Sequence, residues 1–448
     1  MNSLTIVAPM TPAGVSAVAA LRVSGSKVRD VVKSLFGERA AANLEARKAS
    51  LGTARDPQTG KVIDSLLYLF FEGPNSYTGE DVLELYPHGN PLIVRDMLQA
   101  IRGIEGVRLA EPGEFTRRAF LNGKMDLTQA ESVADVIHSA NRAELENAHR
   151  LLSGALSKKI ATLAAQVKDI SARLELDVDF AEEEADPDFA GWEARFVSVR
   201  ESIQQILNSF HGKASLSKLP LAVLYGAPNA GKSSLVNALL GEDRVLVSNV
   251  PGTTRDFVEV RLFLPGGEVR LVDTAGIADR ATDELDALSM KKSKEILEEA
   301  DLKILVVDGS DERTGCALQT KDERKPDVIV YSKSDLRVAS CPIESGALQI
   351  SSKTGDGLAD LKNIMNAALF KENANAEDLW ITSEREKACL EDALAGVDRV
   401  LDLLKNNPAV ELLAFEMQLV RRALQSITGE ISSEDILQSI FAGFCIGK

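Results

Sequence analysis

Cysteine and histidine are both scarce in this chain of 448 residues, which holds four of each. The cysteines are scattered and form no CxxC pair, so neither a disulfide framework nor a zinc site built on paired cysteines is expected. They are Cys316, Cys341, Cys389 and Cys445. The histidines are equally dispersed and we interpret them as ordinary residues. They are His88, His138, His149 and His211.

Long hydrophobic runs and positive net charge are also missing. No apolar run is long enough to span a membrane, and the start of the chain lacks the basic and apolar regions of a signal peptide. Lys and Arg number 51 and Asp and Glu number 67, which gives a formal charge of −16. Such an acidic balance argues against nonspecific nucleic-acid binding over the whole surface. These absences predict a cytoplasmic protein without membrane association.

The length and the 45% of hydrophobic residues predict about three packed domains. Residues 1–122 mix short apolar strands and helices, punctuated by glycine and proline, and we predict an α+β domain there. Residues 123–216 and 372–448 have helical spacing of apolar residues, while strands and helices alternate in 217–371. The last segment is too short to bury its apolar faces alone. We therefore expect one helical domain in two parts, with the alternating segment inserted between them.

The most informative motif is Gly226–Ser233, which reads GAPNAGKS. Two glycines five positions apart, followed by Lys and Ser, form the phosphate-binding loop pattern. The apolar run Leu221–Tyr225 precedes it and a helical run beginning at Ser234 follows it, which is the context that the motif requires. Glycine lets backbone amides approach a phosphate closely. Lys232 is placed to reach the terminal phosphates and Ser233 to hold Mg²⁺.

Four further motifs follow at predicted strand ends, in the order that a GTPase requires. Pro251–Asp256 (PGTTRD) offers a threonine that can complete the Mg²⁺ shell and sense the γ-phosphate. Asp273–Gly276 (DTAG) offers a carboxylate over the metal and a glycine N–H for that phosphate. In Ser332–Asp335 (SKSD), the Asp carboxylate can accept both N–H donors of the guanine edge. Ser351–Lys353 can close over the base, and together the motifs predict a doubly wound guanine-nucleotide domain.

Beyond these motifs, the chain resembles the Era-like branch of translation-associated GTPases, and specifically the TrmE (MnmE) family of bacterial tRNA-modification GTPases, over essentially its whole length. The strings that carry the specific resemblance lie outside the nucleotide-binding segment. They are Leu21–Gly25, Gly73–Leu85, Pro112–Asn122, Asp126–Glu131 and Phe444–Lys448. The resemblance implies an N-terminal folate-binding-like domain that also dimerises, a discontinuous α-helical domain, and an inserted Ras-like P-loop GTPase domain.

The resemblance also implies the nucleotide and metal ligands. Mg²⁺ would be held by Ser233 and Thr254, and a catalytic K⁺ by Asn229 and by residues of the switch loop. The K⁺ would neutralise charge that develops on the phosphates, as an arginine finger does elsewhere, and Arg255 stays open as such a finger. The switch-loop K⁺ ligands would be Ser248, the backbone of Val250, and Thr253. The expected contacts to GTP or GDP are Asn229, Ala230, Gly231, Lys232, Ser233, Ser234, Ser248, Asn249, Val250, Pro251, Gly252, Thr253, Thr254, Asp273, Thr274, Ala275, Gly276, Ser332, Lys333, Ser334, Asp335 and Ser351.

For the first domain, the resemblance implies a site for 5-formyl- or methylene-tetrahydrofolate as the one-carbon source. Its ligands would be Arg22, Glu80, Lys124 and Lys448, of which the first three would be read as surface side chains from the residues alone. Cys445 is implied to lie at the tRNA-modification site. Without the resemblance it would be interpreted as a thiol with no role, either buried or merely exposed.

Two positions depart from the family pattern. Ser332 stands where most GTPases carry an asparagine that bridges the base and the phosphate loop, so we expect weaker guanine binding, with Asp335 keeping the discrimination. The family also has a glutamate after the DTAG motif that orients the attacking water. Asp286 aligns with it and has a side chain one methylene shorter, a displacement that can matter for catalysis. Glu284 in that role, and an exposed acid at Asp286 without a role, remain alternatives.

The resemblance thus implies a K⁺-dependent GTP hydrolase that forms a homodimer and works with an FAD-dependent partner, MnmG (GidA), on tRNA. Together they would add an aminomethyl or carboxymethylaminomethyl group to C5 of the wobble uridine of certain tRNAs. The alternative is an Era-like ribosome-assembly switch, which usually carries a basic RNA-binding module. Here Arg117–Arg118 and Arg421–Arg422 form only small basic clusters. A purely structural adaptor would not need an intact Mg²⁺ and phosphate set.

Overall fold

The computed structural model describes residues 4–179, 189–212, 219–241, 257–274, 295–310, 326–336, 346–370, 379–405 and 410–447. The chain divides into two compact units. None of the described helices combines the length and apolar character needed to cross a bilayer. The first unit comprises Met1–Ile137, Ala148–Phe210 and Leu379–Lys448, and the second comprises His138–Asn147 and His211–Asp378.

The described elements are numbered along the chain. The strands are β1 (Thr5–Pro9), β2 (Ser16–Val18), β3 (Leu21–Ser24), β4 (Ser50–Arg55), β5 (Val62–Phe71), β6 (Val82–Tyr86), β7 (His88–Gly89), β8 (Val107–Leu109), β9 (Leu221–Tyr225), β10 (Phe257–Leu264), β11 (Gly267–Thr274), β12 (Leu302–Asp308), β13 (Val328–Ser332) and β14 (Leu348–Gln349). The helices are α1 (Val28–Phe36), α2 (Glu38–Ala42), α3 (Pro91–Arg102), α4 (Glu114–Leu121), α5 (Leu127–His138), α6 (Arg142–Leu152), α7 (Ala155–Asp179), α8 (Phe189–Asn208), α9 (Lys232–Gly241), α10 (Leu358–Leu369), α11 (Glu384–Leu404), α12 (Val410–Thr428) and α13 (Glu434–Ala442).

A six-stranded sheet forms the N-terminal part of the first unit, in the order β4-β5-β6-β3-β1-β8. Its neighbours are antiparallel except β1 and β8, which are parallel. In β5 the side chains of Asp64, Leu66, Tyr68 and Phe70 are buried, and those between them are more exposed. This period of two is typical of a sheet that is covered on one face. Helices α1 and α3 share a single apolar core with that face.

Long helices from two distant parts of the sequence make another core of the first unit. Helices α7 and α8 contribute residues such as Leu163 and Phe196, and α11 and α12 contribute residues such as Val397 and Val420. Helices α11 and α12 approach closely at Gly396 of α11, where a Cβ would lie 2.6 Å from Cγ2 of Val420 on α12. Each helix is apolar on one side, so each pair buries its apolar face against the other pair.

The second unit contains a six-stranded sheet in the order β10-β11-β9-β12-β13-β14. Its neighbours are parallel except for the β10–β11 hairpin. Strand β9 is buried along its whole length, as expected for a parallel strand covered on both faces. Helices α9 and α10 share one apolar cluster with the sheet. The carboxyl ends of the parallel strands meet at one edge, where ligands bind in sheets of this kind.

The segment His138–Asn147 also belongs to the second unit. It lies against the tip of the β10–β11 hairpin, where Asn141 forms an antiparallel bridge with Gly267. The N–H of Glu268 donates to the carbonyl of Ala140 at 3.0 Å. The hairpin therefore ends on a piece of chain that leads directly into helix α6.

Candidate functional site

The phosphate-binding motif forms the turn between β9 and α9. Gly226 has a φ of 144° and leaves no room for a side chain, because a Cβ would collide with the carbonyl oxygen of Val306 on β12. Asn229 and Gly231 also adopt positive φ, at 62° and 91°. These conformations suit glycine and are tolerated by asparagine. A turn of this kind can direct successive backbone amides at a bound anion.

Lys232 begins helix α9 and is buried, with 6% of its surface exposed. Its ammonium donates to the carbonyls of Gly226 at 3.0 Å and Ala227 at 2.9 Å, so the side chain lies back across the loop. Burial lowers the pKa of Lys232, and the nearby Asp273 carboxylate opposes that shift. A phosphate in the loop would supply the negative charge that favours the ammonium form.

Ser233 and Asp273 meet at the carboxyl edge of the sheet, because β11 pairs with β9 and places Asp273 beside Leu224. The hydroxyl of Ser233 donates to Oδ2 of Asp273 at 2.6 Å. Oδ1 of Asp273 is buried and has no hydrogen-bond partner. Hydroxyl and carboxylate oxygens are the ligands that Mg²⁺ prefers. The residues present therefore fit a magnesium ion.

Ser332 ends strand β13 and is almost fully buried, with 2% of its surface exposed. Its hydroxyl lies 2.5 Å from the carbonyl oxygen of Ala230 in the phosphate loop and 3.1 Å from that of Val307 on β12. A hydroxyl donates one proton, so the shorter contact to Ala230 is its principal bond. Ser332 thus makes the contact with the phosphate loop that was described above for the asparagine of most GTPases.

Asp335 lies in the short 3₁₀ turn Ser334–Leu336 that follows β13. Its Oδ1 accepts a hydrogen bond from the hydroxyl of Ser351 at 2.8 Å. The backbone N–H of Ser334 donates to the carbonyl of Ile350 at 3.1 Å. The two predicted base-binding segments are therefore tied to each other, and one carboxylate oxygen of Asp335 has a fixed position.

Lys333 lies between Ser332 and Asp335 in the chain and has a positive φ of 56°. Its ammonium forms an ion pair with Asp308 at 2.5 Å. Burial raises the pKa of Asp308, but hydrogen bonds from Lys333 and Ser310 outweigh it and hold the pKa below its ordinary value. Asp308 therefore stays ionised near neutral pH and keeps the Lys333 side chain at the end of β12.

Several predicted residues contribute little that the structure can test. Asn229 is exposed in the loop, Ser234 is exposed in the first turn of helix α9, and the hydroxyl of Thr274 donates to the carbonyl of Leu224. The remaining nucleotide, metal and tail residues lie outside the described residues, so their roles stay predictions. They are Ser248, Asn249, Val250, Pro251, Gly252, Thr253, Thr254, Ala275, Gly276, Glu284, Asp286 and Lys448.

A second candidate site lies on the N-terminal sheet around Arg22 of β3. Its guanidinium pairs with Glu84 at 2.9 Å and lies 4.9 Å from the ring centre of Tyr77 and 5.7 Å from that of Phe115. Nη1 of Arg22 is buried and has no hydrogen-bond partner. A buried donor of this kind is costly unless a ligand or water completes it. The residues therefore fit an anionic ligand such as a carboxylate.

Glu80 lies in the loop that joins β5 to β6, and the side chain of Lys124 reaches the same loop. Glu80 accepts hydrogen bonds from the hydroxyl of Ser24 at 2.7 Å and from Arg118 at 2.9 Å. Ser24 is two residues from Arg22 on β3, so both lie on the same face of the sheet. Lys124 donates to the carbonyl of Pro74 at 2.8 Å. The structure thus places these predicted ligands around one loop and its neighbouring strand.

The C-terminal tail reaches the same sheet. Gly447 lies so close to Pro9 of β1 that a Cβ would collide with the carbonyl oxygen of Pro9. Pro9 pairs with Leu21, the residue before Arg22. Cys445 is exposed two residues earlier. The tail therefore lies against the end of β1, next to the strand that holds Arg22, and Cys445 is two residues from that contact.

Sequence reasoning missed the residues that complete the second site: Tyr77, Glu84, Phe115 and Arg118. All four lie within the strings that carry the family resemblance, which was the available signal. In the sequence, Arg118 is recognisable only as part of the small basic cluster Arg117–Arg118. Its pair with Glu114 lies within helix α4 at a spacing of four residues, whereas its pair with Glu80 depends on the packing of α4 against the β5–β6 loop, which no local pattern reveals.

Two family models match the chain. The model of the MnmE helical domain matches residues 127–445, and the model of the GTP-binding protein TrmE N-terminus matches residues 5–124. Among solved structures, the chain is similar to Era of Aquifex aeolicus bound to GDP·AlF4⁻, with 24% identity and a TM-score of 0.28. That match covers 40% of this chain and 67% of the other.

Curated relatives match over nearly the full length. A tRNA modification GTPase MnmE of Methylobacterium radiotolerans is 38% identical, with 99% of both chains covered. One of Alkaliphilus oremlandii is 34% identical, again with 99% of both chains covered. Together with the two family models, these full-length matches show that the chain belongs to the MnmE (TrmE) family of tRNA modification GTPases.

Proposed function

We propose that this chain binds and hydrolyses GTP in the course of tRNA modification. One observation carries the nucleotide part: Ser233 and Asp273 meet at 2.6 Å, with a buried and unpartnered Asp273 oxygen beside the buried Lys232. A loop, an ammonium, a serine hydroxyl and a carboxylate in this order are the parts that phosphoryl transfer requires. Membership in the family supports GTP as the triphosphate and tRNA modification as the process.

Recognition of the base is assigned to Asp335. Its carboxylate would accept the two N–H donors of guanine, and the bond from Ser351 would hold it in place for that purpose. Ser332 keeps the base-binding and phosphate-binding segments in register through Ala230. Ser351 would close over the base.

For hydrolysis, we propose Asp286 as the residue that orients the attacking water. Asn229, Ser248, Val250 and Thr253 would hold a K⁺, which supplies positive charge against the phosphates when bound. Thr254 would join Ser233 in holding Mg²⁺. The rate of GTP hydrolysis in KCl and in NaCl tests the ion. Equal rates, with no effect of Asn229→Ala, would remove the K⁺ from the proposal.

The second proposed site is the one-carbon site. Arg22, Glu80, Lys124 and Lys448 would bind 5-formyl- or methylene-tetrahydrofolate, which supplies the one-carbon unit when bound. Arg22 supports this because its buried Nη1 has no partner and aromatic rings lie against its guanidinium. Cys445 would lie at the tRNA-modification site. Loss of folate binding in Arg22→Ala, measured by calorimetry, would support the assignment.

The proposed assembly is a homodimer that works with the FAD-dependent subunit MnmG (GidA) in the cytoplasm, in a complex of two copies of each. The product would be an aminomethyl or carboxymethylaminomethyl group at C5 of the wobble uridine of certain tRNAs. The acidic charge of −16 is consistent with a subunit that leaves most tRNA contacts to its partner.

Deleting the gene and analysing the wobble uridines of bulk tRNA by mass spectrometry tests the proposal. We expect the modification to disappear and to return with the wild-type gene. Its persistence in the deletion strain would reject the tRNA-modification role and favour the Era-like ribosome-assembly switch. Accumulation of ribosomal subunits in the deletion strain, measured on sucrose gradients, would support that alternative directly.

A further inference from the structure

The start of helix α4 receives the C-terminal tail at a point where only glycine fits. Gly113 precedes α4 with a φ of 68°. A Cβ on Gly113 would lie 2.7 Å from the carbonyl oxygen of Phe441 and 2.9 Å from its Cβ. Real Cβ atoms essentially never approach another heavy atom within 3.0 Å. A side chain at position 113 would therefore push the end of helix α13 away.

One turn further along α4, Arg117 forms an ion pair with Glu434, the first residue of α13. Residues four apart lie on the same face of a helix, so Gly113 and Arg117 present one surface. Gly113 meets the end of α13, whereas Arg117 meets its start. The two helices therefore run antiparallel along this surface, with one contact near each end of α13.

An apolar cluster supports the same arrangement. Phe441 and Phe444, whose ring centres lie 5.3 Å apart, are buried with Leu127 and Ala130 of α5. Phe444 is 9% exposed, whereas Cys445 next to it is exposed. The buried Phe444 and the Gly447 contact with Pro9 thus fix the chain on both sides of Cys445.

We propose that Gly113 and Arg117 are positioning residues, which hold the tail against the N-terminal domain and so place Cys445 beside the Arg22 site. Neither touches the reacting atoms in this proposal. They act through the position of α13 and of residues 443–447. The inference rests on the proposed role of Cys445 in tRNA modification, but the docking itself can be measured without any activity.

Gly123 offers a matched control for Gly113. It lies beyond the other end of α4 with a φ of 67°, nearly the same as that of Gly113, and nothing lies within 4 Å of a Cβ placed there. Alanine at either position therefore suffers the same backbone strain. Only alanine at position 113 also disturbs α13, so a difference between the two variants reports the contact with the tail.

The experiment compares hydrogen–deuterium exchange of residues 430–447 in the full-length wild type, Gly113→Ala and Gly123→Ala. We expect exchange in α13 to rise at least tenfold in Gly113→Ala and to stay near the wild-type rate in Gly123→Ala. GTP hydrolysis should be unchanged in both variants, while wobble uridine modification should fall at least tenfold in Gly113→Ala alone. Unchanged exchange in Gly113→Ala would overturn the docking.

Charge reversal provides a second variant that does not add a side chain in the crowded position. Arg117→Glu should raise the exchange of α13, and Arg117→Glu combined with Glu434→Arg should restore it. Failure of the double variant to restore the exchange would reject the role of Arg117. A tail that opens in Gly113→Ala while modification persists would overturn the positioning role. Unchanged modification in Cys445→Ser with a closed tail would reject the proposed function of Cys445 instead.

Discussion

The hydroxyl of Ser332 donates to the carbonyl of Ala230 across a distance of 2.5 Å. This bond joins the strand end that precedes Asp335 to the phosphate loop that ends at Lys232. The short serine side chain reaches Ala230 because the strand end lies close to the phosphate loop. A Cβ placed on Gly231 of that loop would lie 3.4 Å from the serine hydroxyl.

The first prediction concerns this bond. Ser332→Ala removes the hydroxyl and leaves a buried carbonyl without its partner, so the dissociation constant for GDP should rise about tenfold, or about 1.4 kcal/mol. Ser332→Thr keeps the hydroxyl and should bind GDP within a few-fold of the wild type. Titration calorimetry measures both. Binding of GDP to Ser332→Ala with wild-type affinity would show that the bond has no role.

The second prediction concerns Asp335. Asp335→Asn replaces two charge-assisted acceptors with an amide, so affinity for GDP should fall at least about a hundredfold. Affinity for IDP, which lacks the exocyclic amine, should fall less, because one of the two bonds is already missing. Ser351→Ala, which removes the bond that holds Oδ1 of Asp335, serves as the milder comparison. Equal losses for GDP and IDP would contradict direct reading of the amine.

The third prediction concerns Glu114, which is 6% exposed. Burial raises the pKa of its carboxyl, but hydrogen bonds from Arg108, the Glu111 amide and Arg118 outweigh it and hold the pKa below the ordinary value of 4.5. A carboxyl with a depressed folded-state pKa adds stability above its unfolded-state pKa and loses it as the pH falls through the folded-state value. Glu114→Gln should therefore lower the free energy of unfolding by about 3 kcal/mol at pH 7.

The same reasoning gives the pH dependence of the Glu114→Gln variant. Its difference from the wild type should shrink as the pH falls below 4.5, where the wild-type carboxyl also loses its charge. Urea unfolding at several pH values between 7 and 3 measures this difference. A difference that stays constant over that range would mean that the charge of Glu114 does not support the fold.

The fourth prediction concerns the hairpin tip. Gly267 has a φ of 151°, and a Cβ there would lie 2.7 Å from the carbonyl oxygen of Ala140. Gly267→Ala should therefore destabilise the second unit by about 1–3 kcal/mol, because the backbone must move or strain. Gly346→Ala also places a Cβ at positive φ, but nothing lies within 4 Å of it. Thermal unfolding of both variants measures the difference, and equal midpoints would contradict the close packing at Ala140.

Much of the nucleotide-binding unit could be predicted from the sequence. The sequence itself indicates three strands, from the apolar runs Leu221–Tyr225 and Leu302–Asp308 and the alternating stretch Phe257–Leu264, and these are the bounds of β9, β12 and β10. Strands β9 and β12 lie in the parallel part of the sheet, and buried parallel strands leave nearly continuous apolar runs whose limits are visible in a single sequence. The motifs at their ends then follow from chain order alone.

The helical core was also largely predictable, because helices that are apolar on one side must pack that side against other helices. Within the last segment, the helical spacing of apolar residues covers 381–404 and 410–427, and the structure has helices over Glu384–Leu404 and Val410–Thr428. The size of the last segment indicates that these helices pack against the earlier helical segment. Its 77 residues are too few to bury the apolar faces alone. The assignment of His138–Asn147 to the second unit had no such signal, because it depends on a backbone pairing with Gly267.

By itself, the sequence of Gly226–Ser233 determined that a phosphate-binding loop is present, because glycine, lysine and serine at fixed spacing are needed wherever the loop forms. Only the tertiary structure decided that Ser332 contacts this loop, that Arg22 keeps a buried donor without a partner, and that Gly113 receives the tail. Each of these depends on atoms from elements far apart in the chain, and their distances are set by packing rather than by any local pattern.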